Sequence, residues 1–255
     1  MIKLKTFGSF TVGNGLTSVQ EGAWRSEKLE KLFVYLAMNR NRGVCIEDIS
    51  EAIWQVEEET DNPVGALKNL AYRLRKALRD ASFGEECIVS VRGGLYKWND
   101  DVEVTIDVEE FDRYINEAEF AFSRSKETAI ESYEKAIALY NGDFLSRLTD
   151  THWFMTLNAF YHSRYVNTVK ALAELYIDTG CYEKLEQLCT RAIVYERSDE
   201  QIYSYLIVAR MRTKKVQMAF DTYETAKAIM DKDLGVRKTV MLNKVYEELL
   251  SVTKG

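Results

Sequence analysis

Proline is almost missing from this 255-residue sequence; Pro63 stands alone. Helix interiors exclude proline because its ring removes an N–H and clashes with the preceding turn, so its scarcity predicts a mostly helical chain. Long apolar runs are absent. None approaches the ~20 residues that span a bilayer, and the opening Met-Ile-Lys-Leu-Lys-Thr-Phe-Gly lacks the apolar core of a secretion signal. A cytoplasmic protein without membrane contact is expected. Histidine and cysteine are few. His152 and His162 have no third ligand at helical spacing, and Cys45, Cys87, Cys181 and Cys189 form no C-x-x-C pair. Buried, reduced thiols and no metal site are expected. The sequence has no G-x-x-x-x-G-K-[ST] or G-x-G-x-x-G run, so no nucleotide cofactor is expected. No Ser/His/Asp set suggests itself, and an enzyme is not expected.

What is present reads as two domains, which the length allows. The first, residues 1–105, has mixed α+β character. Residues 2–12 are β-prone, and Gly13-Asn14-Gly15 supplies a turn. Ser26 is a suitable N-cap for a helix whose apolar positions Leu29, Leu32, Phe33 and Leu36 recur at i, i+3, i+4 and i+7. A short second helix covers Glu47 to Trp54, and an acidic loop follows. A third helix begins at Pro63, where Asp61 or Asn62 can cap it and proline suits the first turn. Leu67, Leu70, Leu74 and Leu78 form its buried stripe. A hairpin comes next, Ile88 to Val91 and Leu95 to Trp98, with Gly93-Gly94 as a two-residue turn and Arg92 at the tip.

The net charge is -6, from 40 acidic and 34 basic residues, which argues at first sight against a nucleic-acid partner. The balance is uneven, however. Residues 62–97 carry +4 and the remainder -10. From Pro63 to Arg79 the basic residues are Lys68, Arg73, Arg75, Lys76 and Arg79, with no acidic one. A helix fits the DNA major groove, where cations meet phosphates and polar side chains read base edges. Lys68, Asn69 and Tyr72 suit an approach to bases, with Arg73 central; Lys76 and Arg79 suit phosphates. Helix, loop, basic helix and arginine-tipped hairpin, in that order, make a winged helix-turn-helix.

From about Val108 the apolar period becomes 3.6 and stays so, giving an all-α second domain over 106–255. Thr179-Gly180-Cys181-Tyr182 and Thr213-Lys214-Lys215-Val216 occupy matching turns 34 residues apart, and Ala192 and Ala226 match at the same offset. That spacing is the tetratricopeptide period. Ala129-Ile130-x-x-Tyr133-x-x-Ala136-Ile137 resembles the second helix of such a repeat, and an insert holding Gly142-Asp143-Phe144-Leu145 and Trp153 separates it from the later units.

Tyr72-Arg73-Leu74-Arg75-Lys76-Ala77-Leu78, then Ile88-Val89-Ser90-Val91-Arg92-Gly93 and Tyr96, resemble the OmpR/PhoB-type winged-helix domain. Asp107-x-x-x-Phe111, the run Ala136-Ile137-x-Leu139-Tyr140-x-Gly142-Asp143-Phe144-Leu145, and Trp153 resemble the bacterial transcriptional activator domain of SARP/AfsR/DnrI-type regulators. Together the resemblances cover nearly the whole chain. They imply a DNA-binding transcriptional regulator, an activator, working on double-stranded DNA as a dimer. They map base and phosphate contacts onto Lys68, Asn69, Tyr72, Arg73, Arg75, Lys76 and Arg79, and a minor-groove contact onto Arg92. They mark the loop from Gln55 to Asn62 as a place where RNA polymerase can dock. Two departures stand out. The wing reads Arg-Gly-Gly-Leu-Tyr, with Leu95 where the family has its second glycine, and residues 1–105 hold 14 basic and 16 acidic residues. The competing reading is a non-enzymatic adaptor that binds partners through the helical repeats, with the winged helix as a docking domain.

Overall fold

A computed structural model describes residues 1–55, 62–83, 87–91, 94–233 and 239–252. Two compact units divide the chain: residues 1–113 with 138–162, and residues 114–137 with 163–255. The first unit thus takes in residues beyond the 105/106 boundary expected from the change of period.

In the first unit, β1 (Ile2–Lys5), β2 (Thr11–Gly13), β3 (Ser18–Gln20) and β6 (Val104–Ile106) form one sheet in the order β3-β2-β1-β6. β1 runs antiparallel to β2 and parallel to β6, with Ile2 opposite Val104 and Leu4 opposite Ile106. Alternation sets the buried face: Ile2, Leu4, Val12 and Ile106 point inward while Lys3 and Lys5 face water. Three helices follow β3: α1 (Glu27–Met38), α2 (Ile46–Ile53) and α3 (Pro63–Asp80). Ser26 holds the N-cap position of α1 in extended backbone, but its side chain makes no capping hydrogen bond. Asn62 does cap α3, accepting the Gly65 N–H on Oδ1 at 2.9 Å, and Pro63 occupies the first turn. All four leucines of the expected stripe, Leu67, Leu70, Leu74 and Leu78, are buried.

The hairpin pairs β4 (Ile88–Val91) with β5 (Leu95–Trp98), Ile88 opposite Trp98 and Val91 opposite Leu95. That register leaves three residues between the last paired positions, not the two of a Gly-Gly turn. Gly94 sits at φ +80°, the left-handed conformation that closes three-residue hairpin loops. The departure at Leu95 has a packing counterpart. A Cβ at Gly43 would lie 3.3 Å from Leu95 Cδ1, so the leucine lies flush against a glycine backbone.

Residues 138–162 carry the insert expected from the sequence. Phe7 and Phe144 form an isolated antiparallel bridge, and Leu145 donates its N–H to the Thr6 carbonyl at 2.9 Å. The Phe7 ring packs against Phe111, Tyr140 and Tyr161, with centroids 4.9–5.7 Å apart. A 3-10 turn, Ser146–Leu148, follows.

The helices of the later chain are α4 (Asp107–Ala121), α5 (Lys126–Leu139), α6 (His152–Thr179), α7 (Tyr182–Tyr195), α8 (Glu200–Arg212), α9 (Val216–Asp233) and α10 (Val240–Val252). Among its described residues, every regular element of the second unit is a helix, and the arrangement is TPR-like. Its matched small residues Ala129, Ala192 and Ala226 fall on α5, α7 and α9, and each is fully buried where helices approach closely. A core of Tyr203, Ile207, Tyr223, Met230, Leu242 and Leu249 joins α8, α9 and α10. Glu200 starts α8 and accepts the Met241 and Leu242 N–H groups at 2.6 and 2.9 Å, satisfying two orphan donors of α10.

All four cysteines are free thiols. Cys87 and Cys189 are buried as expected, but Cys45 and Cys181 are only half-buried. Cys45 stands at the N-cap of α2, where Sγ accepts the Asp48 N–H at 3.4 Å; that position needs an acceptor at the surface rather than a packed thiol.

Candidate nucleic-acid interface

The helix α3 separates its two faces cleanly. The leucine stripe faces the core, while Lys68, Asn69, Tyr72, Arg73, Lys76 and Arg79 are exposed on the other side. Tyr72 presents 63% of its surface to solvent. Lys68, Arg73 and Lys76 have no ion-pair partner among the described residues. Their charges project unneutralised from one helical face.

Arg75 is placed differently. It is half-buried, and its Nε donates to the Ile88 carbonyl at 3.1 Å. This guanidinium ties α3 to the first strand of the hairpin. A second tie comes from the turn before α2: Val44 and Tyr96 exchange both backbone hydrogen bonds, each 2.8 Å. The hairpin is thereby fixed to α3 and to the α1–α2 turn. Arg92, expected at its tip, lies outside the described residues, as do residues 56–61 of the loop assigned to polymerase docking.

The near end of that loop is held. Gln55 donates to Asp150 at 2.8 Å, and Asp150 also pairs with Lys31 of α1. Lys31 is only 2% exposed. Burial raises the Asp150 carboxyl, but the hydrogen bonds from Lys31 and Gln55 and the Lys31 charge outweigh it and hold the group below its ordinary range. Next to it, Thr151 donates its hydroxyl to the Ala52 carbonyl at 2.8 Å, at the C-terminal end of α2. Sequence reasoning missed these residues. Lys31 falls on the same helical face as buried apolar positions, which was the available signal.

Within the second unit, ion pairs join its helices, such as Lys170–Asp199 at 2.5 Å and Lys215–Glu186 at 2.6 Å. Tyr133, Tyr165, Tyr176 and Tyr203 of this unit are buried in its core. Among the described residues no group of three or more His, Cys, Asp or Glu could hold a metal ion, and no helix is long and apolar enough to cross a membrane.

Comparison with known proteins adds to this geometry. Transcriptional regulator RedD of Streptomyces coelicolor is 23% identical over 238 residues, covering 92% of this chain and 67% of RedD. The structure of EmbR of Mycobacterium tuberculosis in complex with a low-affinity phosphopeptide superposes with a TM-score of 0.73 at 20% identity, covering 98% of this chain and 65% of that one. This chain therefore spans about two thirds of the length of each. The bacterial transcriptional activator domain matches residues 106–250, more than half of the sequence and including the Gly142-Asp143-Phe144-Leu145 motif. On that match the chain belongs to the bacterial transcriptional activator domain family, that of the SARP-type transcriptional regulators.

Proposed function

We propose that the protein is a DNA-binding transcriptional activator whose first 105 residues act as a winged helix-turn-helix, with residues 106–255 as the activator domain. In this reading α3 enters the major groove. Lys68, Asn69, Tyr72 and Arg73 meet base edges, and Lys76 and Arg79 meet phosphates. Arg75 supports the wing through Ile88 and lies beside the DNA backbone. Arg92 reaches the minor groove from the wing. Two copies on DNA, RNA polymerase at the 55–62 loop and a cytoplasmic location complete the reading.

One observation carries it: a helix with a fully buried leucine stripe presents Lys68, Arg73 and Lys76, unpaired among the described residues, beside an exposed Tyr72. A gel-shift series with promoter fragments tests it. Arg73→Ala and Arg92→Ala each weaken binding sharply while the circular dichroism spectrum is unchanged. Wild-type affinity in both variants would falsify the assignment of the reading surface.

A further inference from the structure

Away from the α3 face, the first unit contains a cavity of about 470 Å³. That size falls within the range of small-molecule sites. Its wall is built from three elements: Tyr35 of α1; Asp48, Glu51 and Ala52 of α2; and Trp153 and Leu157 of α6.

Tyr35 is 4% exposed, yet its hydroxyl has no hydrogen-bond partner among the described residues. The oxygen is not one of the sealed, unpaired polar atoms of the core, so it stays open to solvent. Here it borders the cavity, where an occupant can pair with it. Burial and the charge of Asp48 push the phenol above its ordinary pKa, so it stays neutral. The Trp153 ring stands edge-on to Tyr35, with centroids 4.9 Å apart and planes at 70°. Asp48 and Glu51, three apart on α2, turn toward one side of the helix and the same cavity. Arg42 also borders the space, but its guanidinium donates to Asn39 Oδ1 from Nε at 3.2 Å and from Nη2 at 3.0 Å. His152 and Thr156 complete the lining.

We propose that this cavity binds a small organic amine in its protonated, monocationic form. Two carboxylates and two aromatic rings attract an ammonium, the rings through their negative faces. The Tyr35 oxygen accepts one of its hydrogens. Ala52 and Leu157 supply apolar contact for the carbon body. An anion of the same size meets the two carboxylates against the single Arg42 guanidinium, and the net negative wall disfavours it. A metal ion lacks the ligand set: the described residues offer no cluster of three.

The site is independent of what α3 touches, and its test needs no DNA. The probe is phenethylammonium, with phenylacetate as the anion of matching size. Binding is read on the indole N–H resonance of Trp153 in the full chain. The expected result is a saturable shift with phenethylammonium and none with phenylacetate. Asp48→Asn combined with Glu51→Gln, both surface side chains, weakens phenethylammonium about tenfold or more, the effect of about 1.4 kcal/mol. Tyr35→Phe weakens it as well and leaves the fold intact. No saturable shift, equal binding of phenylacetate, or indifference to the double carboxamide substitution overturns the proposal.

Discussion

The Asp107 carboxylate accepts the Thr6 backbone N–H on both oxygens, at 2.9 and 2.8 Å, across 101 residues of sequence. It also takes the Thr6 hydroxyl at 2.6 Å, the Phe7 N–H at 3.0 Å and its own neighbour Val108 N–H at 3.0 Å. One side chain thus closes β1, follows directly on β6 and opens α4. Burial raises its carboxyl, opposed by these hydrogen bonds. In Asp107→Asn the amide nitrogen meets donors where the carboxylate met them as an acceptor. Buried N–H groups then go unpaired, and the expected loss is about 3 kcal/mol. A urea midpoint followed by tryptophan fluorescence checks this; an unchanged midpoint removes Asp107 from the role of clamp.

Much of this frame was readable in advance, and the failures share a cause. The leucine stripe and Asn62-Pro63 located α3 because cap and period are local. The hairpin strands were located for the same reason. β3 escaped notice because three residues with only Val19 inward carry almost no periodic signal. The stretch ending at Ile106 has local β character, but nothing near Val104 announces its partner strand β1, 102 residues earlier. The insert was seen as an interruption of the repeats. Its packing around Phe7 depends on rings from three distant positions, Phe111, Tyr140 and Tyr161, and a helical period contains no such information. On α3, the exposed face was legible residue by residue. The hydrogen bond from Arg75 to Ile88 was not, since one basic residue among five looks like the others.

Asp150 and Lys31 form a pair with unequal burial, 34% and 2% exposed on their side chains. Asp150→Asn leaves the Lys31 ammonium buried with a neutral partner. The expected cost is about 3 kcal/mol, at the lower end for a broken buried pair because Asp150 is partly wet. Adding Lys31→Met recovers most of it. The pH dependence has a definite sign. The folded Asp150 carboxyl lies below its unfolded value, so its stabilisation is full above the unfolded pKa and fades as pH falls through the folded one. Below about pH 4 the wild type therefore loses stability faster than Asp150→Asn. Parallel acid-unfolding curves for the two proteins would contradict the pairing.

Arg73 and Arg75 are two residues apart and should behave differently. Arg73 is exposed on α3, while Arg75 holds the Ile88 carbonyl. In hydrogen exchange, Arg75→Ala is expected to raise the rates of the β4 and β5 amides, and Arg73→Ala to leave them alone. Both lower DNA affinity, Arg75→Ala partly by loosening the hairpin. Arg75→Lys does not restore it, because an ammonium lacks the Nε–H that reaches the strand. Equal hairpin protection in the two alanine variants would remove the support role of Arg75.

The split of charge between α3 and the remaining chain makes DNA affinity strongly dependent on salt. Each phosphate neutralised by a lysine contributes about 0.9 to the slope of log K against log salt. Lys76→Ala is expected to flatten that slope by about 1 and to weaken unrelated sequences as much as the preferred one. Lys68→Ala, nearer the bases, narrows the gap between preferred and unrelated sequences instead. Lys244, exposed on α10, serves as the control: Lys244→Ala leaves both slope and preference as they were. Fluorescence anisotropy from about 50 to 200 mM salt resolves these outcomes. A slope unchanged by Lys76→Ala would place the phosphate contacts elsewhere on the molecule.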